Sequence, residues 1–491
     1  MTRKVEENVY YIGTQDIEKR KVKVEELAAF VAGKTLDYYE EEFDKFSDGL
    51  TRSCEAAKIP RNRAKNRHKG LYAYDSTRVK VEKIVMVTNL MEEGKEKCEQ
   101  YWPNIGTTLT YIGVKVTCQS KDEYAEFTRR LLLLNDGEYE RQLHHLHFTA
   151  WPDRGIPEEV TALIEFRHRV LNSTAHLDGP RLVHCSAGIG RTGTYIALDI
   201  LTKEGNSNKA VEIPGCIINM RQNRPNMVQT AEQYEFLHLA LVHTLILDCE
   251  QIPGKQFQDY MIETSKGDLI RQFEKITDTP HVHTDDELVA IERNKSKKER
   301  TEVEQIFQAF QAKRKYIVSQ SPMPNTVQDF LTLAYQENCS CIVSFEQSDG
   351  KTEKVKNEYS IQKWLTIEFK GSTQSEGGKS TSRHFELTDW NQTGNAPRSP
   401  AYYVTFLGDV KMSSSNGPVL VHCRDGGSRS GLFCVMAFLL EKMEVEHEVN
   451  VVNAVRKVKA MRPNAVPTQA QFNFCHDGLL EFVHLYKIYS N

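Results

Sequence analysis

Cys185 and Arg191 flank five residues, Ser186-Ala187-Gly188-Ile189-Gly190, four of them small. A cysteine and an arginine six positions apart mean little alone; the residues around them give the pair its meaning. The glycines allow the backbone N–H groups of the loop to turn inward around one point. Thr192-Gly193-Thr194 then opens Tyr195 to Leu201 with helical apolar spacing, so the loop lies where positive charge gathers at a helix N-terminus. Such a loop is a cradle for a dianion. The same N–H groups, the helix terminus and Arg191 favour a thiolate on Cys185, whose pKa is expected to fall from about 8.5 to between roughly 3.5 and 7.5. Arg191 offers a planar fork that can grip two phosphoryl oxygens, which lysine cannot copy.

The elements that must position these residues follow from the flanks. Arg181-Leu182-Val183-His184 is an apolar run suited to a strand, so the local plan is strand, tight loop, helix, and an α/β fold. The plan occurs twice. Val419-Leu420-Val421-His422-Cys423 echoes residues 181–185, and Arg429 follows Cys423 at the same offset as Arg191 follows Cys185. Arg224-Pro225-Asn226 is echoed by Arg462-Pro463-Asn464, and Gln233-Tyr234-Glu235-Phe236 by Gln471-Phe472-Asn473-Phe474. His147-Phe148 before Trp151 matches His384-Phe385 before Trp390 with a slip of about one residue. Two homologous domains, residues 38–250 and 262–491, are expected, each of ordinary domain size.

Bulk properties narrow the class. A chain of 491 residues with 40% hydrophobic and 26% charged content is too long for one compact core. A net charge of -4 gives no pull toward nucleic acid, and the basic cluster Lys295 to Arg300 is interleaved with acid and reads as a solvated face. Eleven cysteines without paired spacing point to reduced thiols in a cytoplasmic setting, with Cys339 and Cys341 in the core. The N-terminus lacks the apolar stretch of a signal peptide, and no run has the length of a membrane span.

His184-Cys185-Ser186-Ala187-Gly188-Ile189-Gly190-Arg191-Thr192-Gly193 resembles the signature of protein tyrosine phosphatases. Trp151-Pro152-Asp153 resembles the loop that supplies that family's general acid, and Gln229-Thr230-Ala231-Glu232-Gln233 the loop that positions water. Lys65-Asn66-Arg67-His68 with Tyr74-Asp75-Ser76-Thr77-Arg78-Val79 resembles the substrate-recognition loop. Glu92 to Pro103, ending Lys97-Cys98-Glu99-Gln100-Tyr101-Trp102-Pro103, resembles the segment that braces the catalytic arginine. The likeness covers nearly all of both halves, and two tandem copies resemble the cytoplasmic part of receptor-type phosphatases. It implies two twisted mixed sheets flanked by helices and attack by Cys185 on phosphorus to give a cysteinyl-phosphate. Asp153 would act as acid and then base, which contributes about 10²- to 10⁴-fold. Gln229, assisted by Gln233, would position water; Thr192 would hydrogen-bond the departing thiolate, and His184 would hold the loop. Ser186, Ala187, Gly188, Ile189, Gly190, Gln233, His68 and Asp75 are the expected substrate-binding positions, with Glu92 and Lys97 in support. No metal or cofactor is called for, and phosphotyrosine-containing proteins are the implied partners.

The chain departs from that pattern in three places. His68 replaces the tyrosine that stacks on the substrate ring, which would loosen selectivity. The first half passes from Arg78-Val79-Lys80-Val81 almost directly to Ile84-Val85-Met86-Val87, so a strand, loop and helix found in the second half at Lys315 to Phe330 have no counterpart, and a sheet edge should be exposed. The second half keeps Cys423 and Arg429 as a remnant, but Asp425 puts an anion where an anion must bind. Asn391 follows Trp390 in place of the acid's loop, and Pro467 replaces Gln229. An active first domain with an inert second is therefore expected. The competing readings are a phosphotyrosine-binding scaffold and a phosphoinositide phosphatase, the latter disfavoured because the Cys185 loop has no lysine.

Overall fold

The structure is a computed structural model. It describes residues 21–46, 48–50, 52–60, 66, 68, 70–72, 74–75, 83–152, 155–157, 160–173, 181–247, 251–278, 305–308, 315–324, 326–345, 365–369, 380–387, 390, 394–414 and 417–489. Of residues 83, 173, 305–308, 365–369, 380–382 and 486–489 it describes the backbone alone.

The chain divides into two units, Met1–Leu247 and Asp248–Asn491. In the first, strand β1 (Val22–Lys23) precedes the central strand β2 (Lys83–Met86) and a small hairpin of β3 (Met91–Glu92) and β4 (Lys95–Glu96). An antiparallel run follows, β5 (Thr108–Tyr111), β6 (Val114–Glu123), β7 (Phe127–Asn135) and β8 (Glu140–Phe148), and then β9 (Arg181–His184). These form a six-stranded mixed sheet of order β5-β6-β7-β8-β2-β9, in which β2 lies parallel to both β8 and β9. The apolar alternation of β6 and β7 puts Val116, Cys118 and Leu132 on one face, where they close a core with Met86, Trp102 and Leu143. The helix Gly190–Asn208 buries Ala197, Leu198 and Leu201, and the helix Ala231–Ile246 buries Phe236, Leu237 and Leu241. A strand β10 (Ala210–Val211) after the first of these helices pairs back on β1.

The second unit repeats the scheme. Its strands are β11 (Ile252–Pro253), β12 (Gln305–Gln308), β13 (Lys315–Gln320), β14 (Cys341–Ser344), β15 (Leu365–Phe369), β16 (Ser380–Glu386), β17 (Val419–Cys423) and β18 (Glu448–Val449). The sheet order is β12-β13-β17-β14-β16-β15, and β11 pairs with β18 as β1 does with β10. Both of these short pairings use residues ahead of 38 and 262; two-residue strands leave no periodic pattern in a sequence. The register also removes the slip between the halves, since His147 lies four residues before Trp151 but His384 six before Trp390. Ile84 lies opposite His145 and Leu182, and Ile342 opposite His384 and Leu420, so His145 and not His147 is the counterpart of His384.

One difference bears on the site. In the second unit β17 is covered on its far side by β13, in parallel register with Ile317 opposite Leu420. Phe330 and Ala334 of the helix Val327–Gln336 complete a core with Ile317, Ile342 and Leu420. Among the described residues of the first unit, β9 has no strand on that side. The exposed edge expected from the sequence is visible in the side chains: Leu420 is 0% exposed and Leu182 36%. Cys339 and Cys341 are buried as expected, and the described cysteines are all free thiols. No helix among the described residues is long and apolar enough to cross a membrane.

Candidate active site

Strand β9 ends at His184, and the next residue, Cys185, stands at the base of the loop that leads into the helix Gly190–Asn208. The Gly188 N–H donates to Cys185 Sγ at 3.2 Å. Gly188 has φ +71°, and a Cβ there would lie 3.3 Å from the guanidinium of Arg224, so both backbone and space favour glycine. Arg224 closes the loop from outside. Its Nε donates to the Gly188 carbonyl at 2.7 Å, and its Nη2 to the carbonyls of Ala187 at 3.0 Å and Leu71 at 3.3 Å. The segment around Leu71, between the two runs of the expected recognition loop, is thereby tied to the cysteine loop.

Arg191 is gripped by the hairpin β3–β4. Its Nη1 and Nη2 donate to Glu92 Oε1 at 2.5 Å and Oε2 at 2.9 Å, a bidentate pair, and Glu92 is also 3.8 Å from Lys97 Nζ. Thr88 Oγ1 and the Asn89 N–H hold Glu92 Oε1 at 3.1 and 3.0 Å. Glu92 thus touches Arg191 directly, and Lys97 touches Glu92. Arg191 Nη2 also donates to the Pro152 carbonyl at 2.9 Å, which brings the Trp151-Pro152 segment over the loop. The Trp151 ring is buried, its Nε1 donating to the Gly155 carbonyl at 3.2 Å. Asp153 itself lies outside the described residues, as do Lys65, Arg67 and, in the second unit, Asn391.

Gln229 and Gln233 reach the same loop. A Cβ on Gly190 would lie 3.0 Å from Gln229 Oε1 and from both polar atoms of the Gln233 amide, and the Gln229 N–H donates to Gln233 Oε1 at 2.9 Å. Val228, just before them, has φ +60°, as its counterpart Val466 has φ +47°. For a β-branched residue that conformation costs about 1–3 kcal/mol, and both units hold it where the loop packs on the helix start. Thr192 Oγ1 is buried with no hydrogen-bond partner.

His184 is held by a polar chain that the sequence did not announce. Its Nδ1 lies 3.3 Å from the Cys185 carbonyl, where only N–H can serve, so its Nε2 accepts from the Tyr101 hydroxyl at 2.7 Å. The Tyr101 oxygen accepts in turn from His145 Nε2 at 2.9 Å, and His145 Nδ1 accepts from Arg130 Nη1 at 3.4 Å. Burial holds His145 and His184 below the ordinary histidine pKa and pushes Tyr101 well above that of a free phenol. The chain therefore stays neutral at its centre near pH 7. Tyr101 stands in the segment already singled out around Lys97, and Arg224 in the repeated Arg-Pro-Asn; those were the available signals.

His68 and Asp75 are the two remaining expected substrate-binding positions. His68 is exposed. Asp75 accepts at Oδ2 from Ser53 Oγ at 2.7 Å and the Glu55 N–H at 2.9 Å, and at Oδ1 from the Ala56 N–H at 2.9 Å. It caps the short helix Glu55–Lys58, and both its oxygens are engaged there.

Comparison with known proteins follows the same lines. The family model described as protein-tyrosine phosphatase matches residues 79–243, 285–363 and 351–481. The chain belongs to the protein-tyrosine phosphatase family. Matches in both units make it a tandem phosphatase region. It is 29% identical over 464 residues to receptor-type tyrosine-protein phosphatase S of Gallus gallus, covering 83% of this chain and 30% of that protein. It is 28% identical over 472 residues to tyrosine-protein phosphatase Lar of Drosophila melanogaster, covering 84% and 23%. With receptor-type tyrosine-protein phosphatase F of Bos taurus the identity is 29% over 463 residues, covering 83% and 24%. The chain spans less than a third of the length of these curated relatives.

The phosphatase loop of the second unit is built differently. Cys423 is fully buried, and burial, then the Asp425 carboxylate, push its thiol up to about 11. Arg429 Nη1 donates to the Phe345 carbonyl at 2.7 Å, and its guanidinium stacks 5.1 Å from the Trp390 ring. Gln471 Nε2 donates to Ser428 Oγ at 3.1 Å, but its buried Oε1 has no partner. The cause is one substitution: Pro467 stands where Gln229 gives the N–H that satisfies Gln233, and proline has none.

Proposed function

We propose that the first unit hydrolyses phosphotyrosine in proteins through a cysteinyl-phosphate on Cys185, and that the second unit performs no turnover. The carrying observation is Arg191, fixed by Glu92 on one side and by the Pro152 carbonyl on the other, at the start of the helix whose loop holds Cys185. That arrangement presents a cation and inward N–H groups to a phosphoryl group at the thiolate. Cys185 Sγ attacks phosphorus, the phosphorus–oxygen bond to the aryl group breaks, and Asp153 protonates the departing oxygen. Gln229 and Gln233 then position a water that gives Asp153 its proton and displaces the sulfur, releasing phosphate while Thr192 hydrogen-bonds the thiolate. Ser186, Ala187, Gly188, Ile189 and Gly190 contribute the cradle. The receptor-type relatives support placement beside a membrane as part of a longer protein, with phosphotyrosine-containing proteins as partners.

A phosphotyrosine-binding scaffold is the second reading, and the uncovered β9 favours it, since Leu182 beside the nucleophile is 36% exposed. Turnover of a small aryl phosphate by the purified chain separates the two. Wild type and Cys423→Ser should turn it over and Cys185→Ser should not, because a serine hydroxyl stays protonated. No turnover by folded wild type would leave the scaffold standing; loss in Cys423→Ser would move the chemistry to the second unit.

A further inference from the structure

The second unit carries a cavity of about 650 Å³ lined by Trp390, Cys423, Asp425, Ser428, Arg429 and Gln471 among others. Its floor is the loop that in the first unit forms the cradle, and the anion position is filled. Asp425 Oδ1 accepts from the Gly427 and Ser428 N–H groups, each at 3.1 Å, and from the Cys423 thiol at 3.1 Å. Asp425 Oδ2 accepts from Asn464 Nδ2 at 2.6 Å. Donors that could meet the oxygens of a phosphoryl group are spent on a carboxylate of the same loop. The first unit has Ala187 at this position, and there Asn226, the counterpart of Asn464, binds Asp48 and Gly49 instead. In the second unit the asparagine has become the clamp on the plug.

A second feature of the cavity is independent of the loop. Gln471 is 3% exposed, lines the cavity, and its Oε1 has no partner. An orphaned acceptor of this kind costs free energy unless a donor completes it. With Arg429, the freed N–H groups and Ser428 as donors and Gln471 as acceptor, the cavity complements a tetrahedral oxyanion that still carries one O–H.

We propose that the second unit is a binding site for hydrogen phosphate or a phosphate monoester, occupied in this chain by its own Asp425 carboxylate. This rests on the reading of the second unit as free of turnover and adds the reason its cradle is closed: the site is plugged, not dismantled. A carboxylate supplies at most one negative charge where a phosphoryl group brings up to two, so the plug excludes a dianion by charge as well as by volume.

The test reads binding of inorganic phosphate to the full chain by titration calorimetry, with the number of sites as the observable. Asp425→Ala should show one more site than wild type, and Asp425→Ala combined with Arg429→Met should lose it again. The difference is independent of whether the Cys185 site binds or turns over, so failure of the proposed activity and failure of this inference are distinguishable. Should Asp425→Ala lose its cooperative thermal transition, Asp425→Ser clears the charge while leaving a short hydroxyl for the loop, and the same added site is expected. A folded variant with no added site, or an added site that survives Arg429→Met, overturns the proposal.

Discussion

Glu92→Gln tests how Arg191 is held. The Glu92 side chain is 3% exposed and the Arg191 side chain 13%, so water screens the pair little. Glutamine keeps the volume and one acceptor oxygen, yet turns an N–H₂ toward an Arg191 nitrogen that itself donates, so one of the two bidentate bonds is replaced by a donor facing a donor. Removing one partner of a buried pair typically costs about 3–5 kcal/mol. Arg191 retains the Thr88 hydroxyl and the Pro152 carbonyl, which places the expected loss near the lower end, about 3 kcal/mol. The guanidinium is then free to swing, and a displacement of about 1 Å at a positioning group costs on the order of 10²-fold in rate. Urea denaturation gives the first quantity, and kcat/KM on an aryl phosphate, measured well below the unfolding midpoint, gives the second. Glu92→Asp, which keeps the charge, should recover part of the rate. A Glu92→Gln chain with unchanged urea midpoint and kcat/KM would show that the hairpin does not position Arg191.

Three further outcomes are expected. Asp153→Ala should lower kcat by about 10²- to 10⁴-fold with KM nearly kept, the pattern of a lost proton transfer; a change confined to KM would contradict that role. Leu420→Ala should destabilise the second unit by about 2–5 kcal/mol, whereas Leu182→Ala, at the equivalent but 36% exposed position, should cost the first unit much less. Hydrogen exchange of β17 and β9 peptides reads the two separately, and equal losses would mean that β9 is covered after all. Burial holds His147 and His238 down to about 4 and His422 to about 3, against 6.5 when free, so these residues take up protons on unfolding. Their contribution is present above about pH 6.5 and is lost as pH falls toward 4, by about 1.4 kcal/mol per pH unit for each group; urea midpoints that do not fall between pH 7 and 5 would refute it.

The sequence disclosed the loop, its duplication and the bracing pair because each lies within a short, ordered run: Cys185 to Arg191, Glu92 with Lys97, Gln229 with Gln233. What it did not disclose depends on residues far apart in the chain. Arg224 reaches back to Leu71, Tyr101 joins His145 to His184, and no local spacing records either contact. Asp75 shows the opposite hazard, since a residue beside a recognisable motif spends its carboxylate on capping a helix at Glu55 and Ala56.

In the second unit small losses around the loop leave its cysteine and arginine in place. Pro467 removes a single N–H, and its effect passes to Gln471, whose amide still contacts Ser428 but leaves an acceptor unsatisfied in the cavity. Asp425 adds a single carboxylate, and the N–H groups of the loop, the thiol and Asn464 all reorganise around it. In the first unit the difference lies in the sheet. The loop, Arg191 and its brace are in contact, while among the described residues the strand beneath them has no cover, so Leu182 meets water three residues from Cys185. Burial of a leucine contributes about 1.5–3 kcal/mol, so the first unit keeps its site on a less stable sheet, and the second keeps a stable sheet under a site closed by its own side chain.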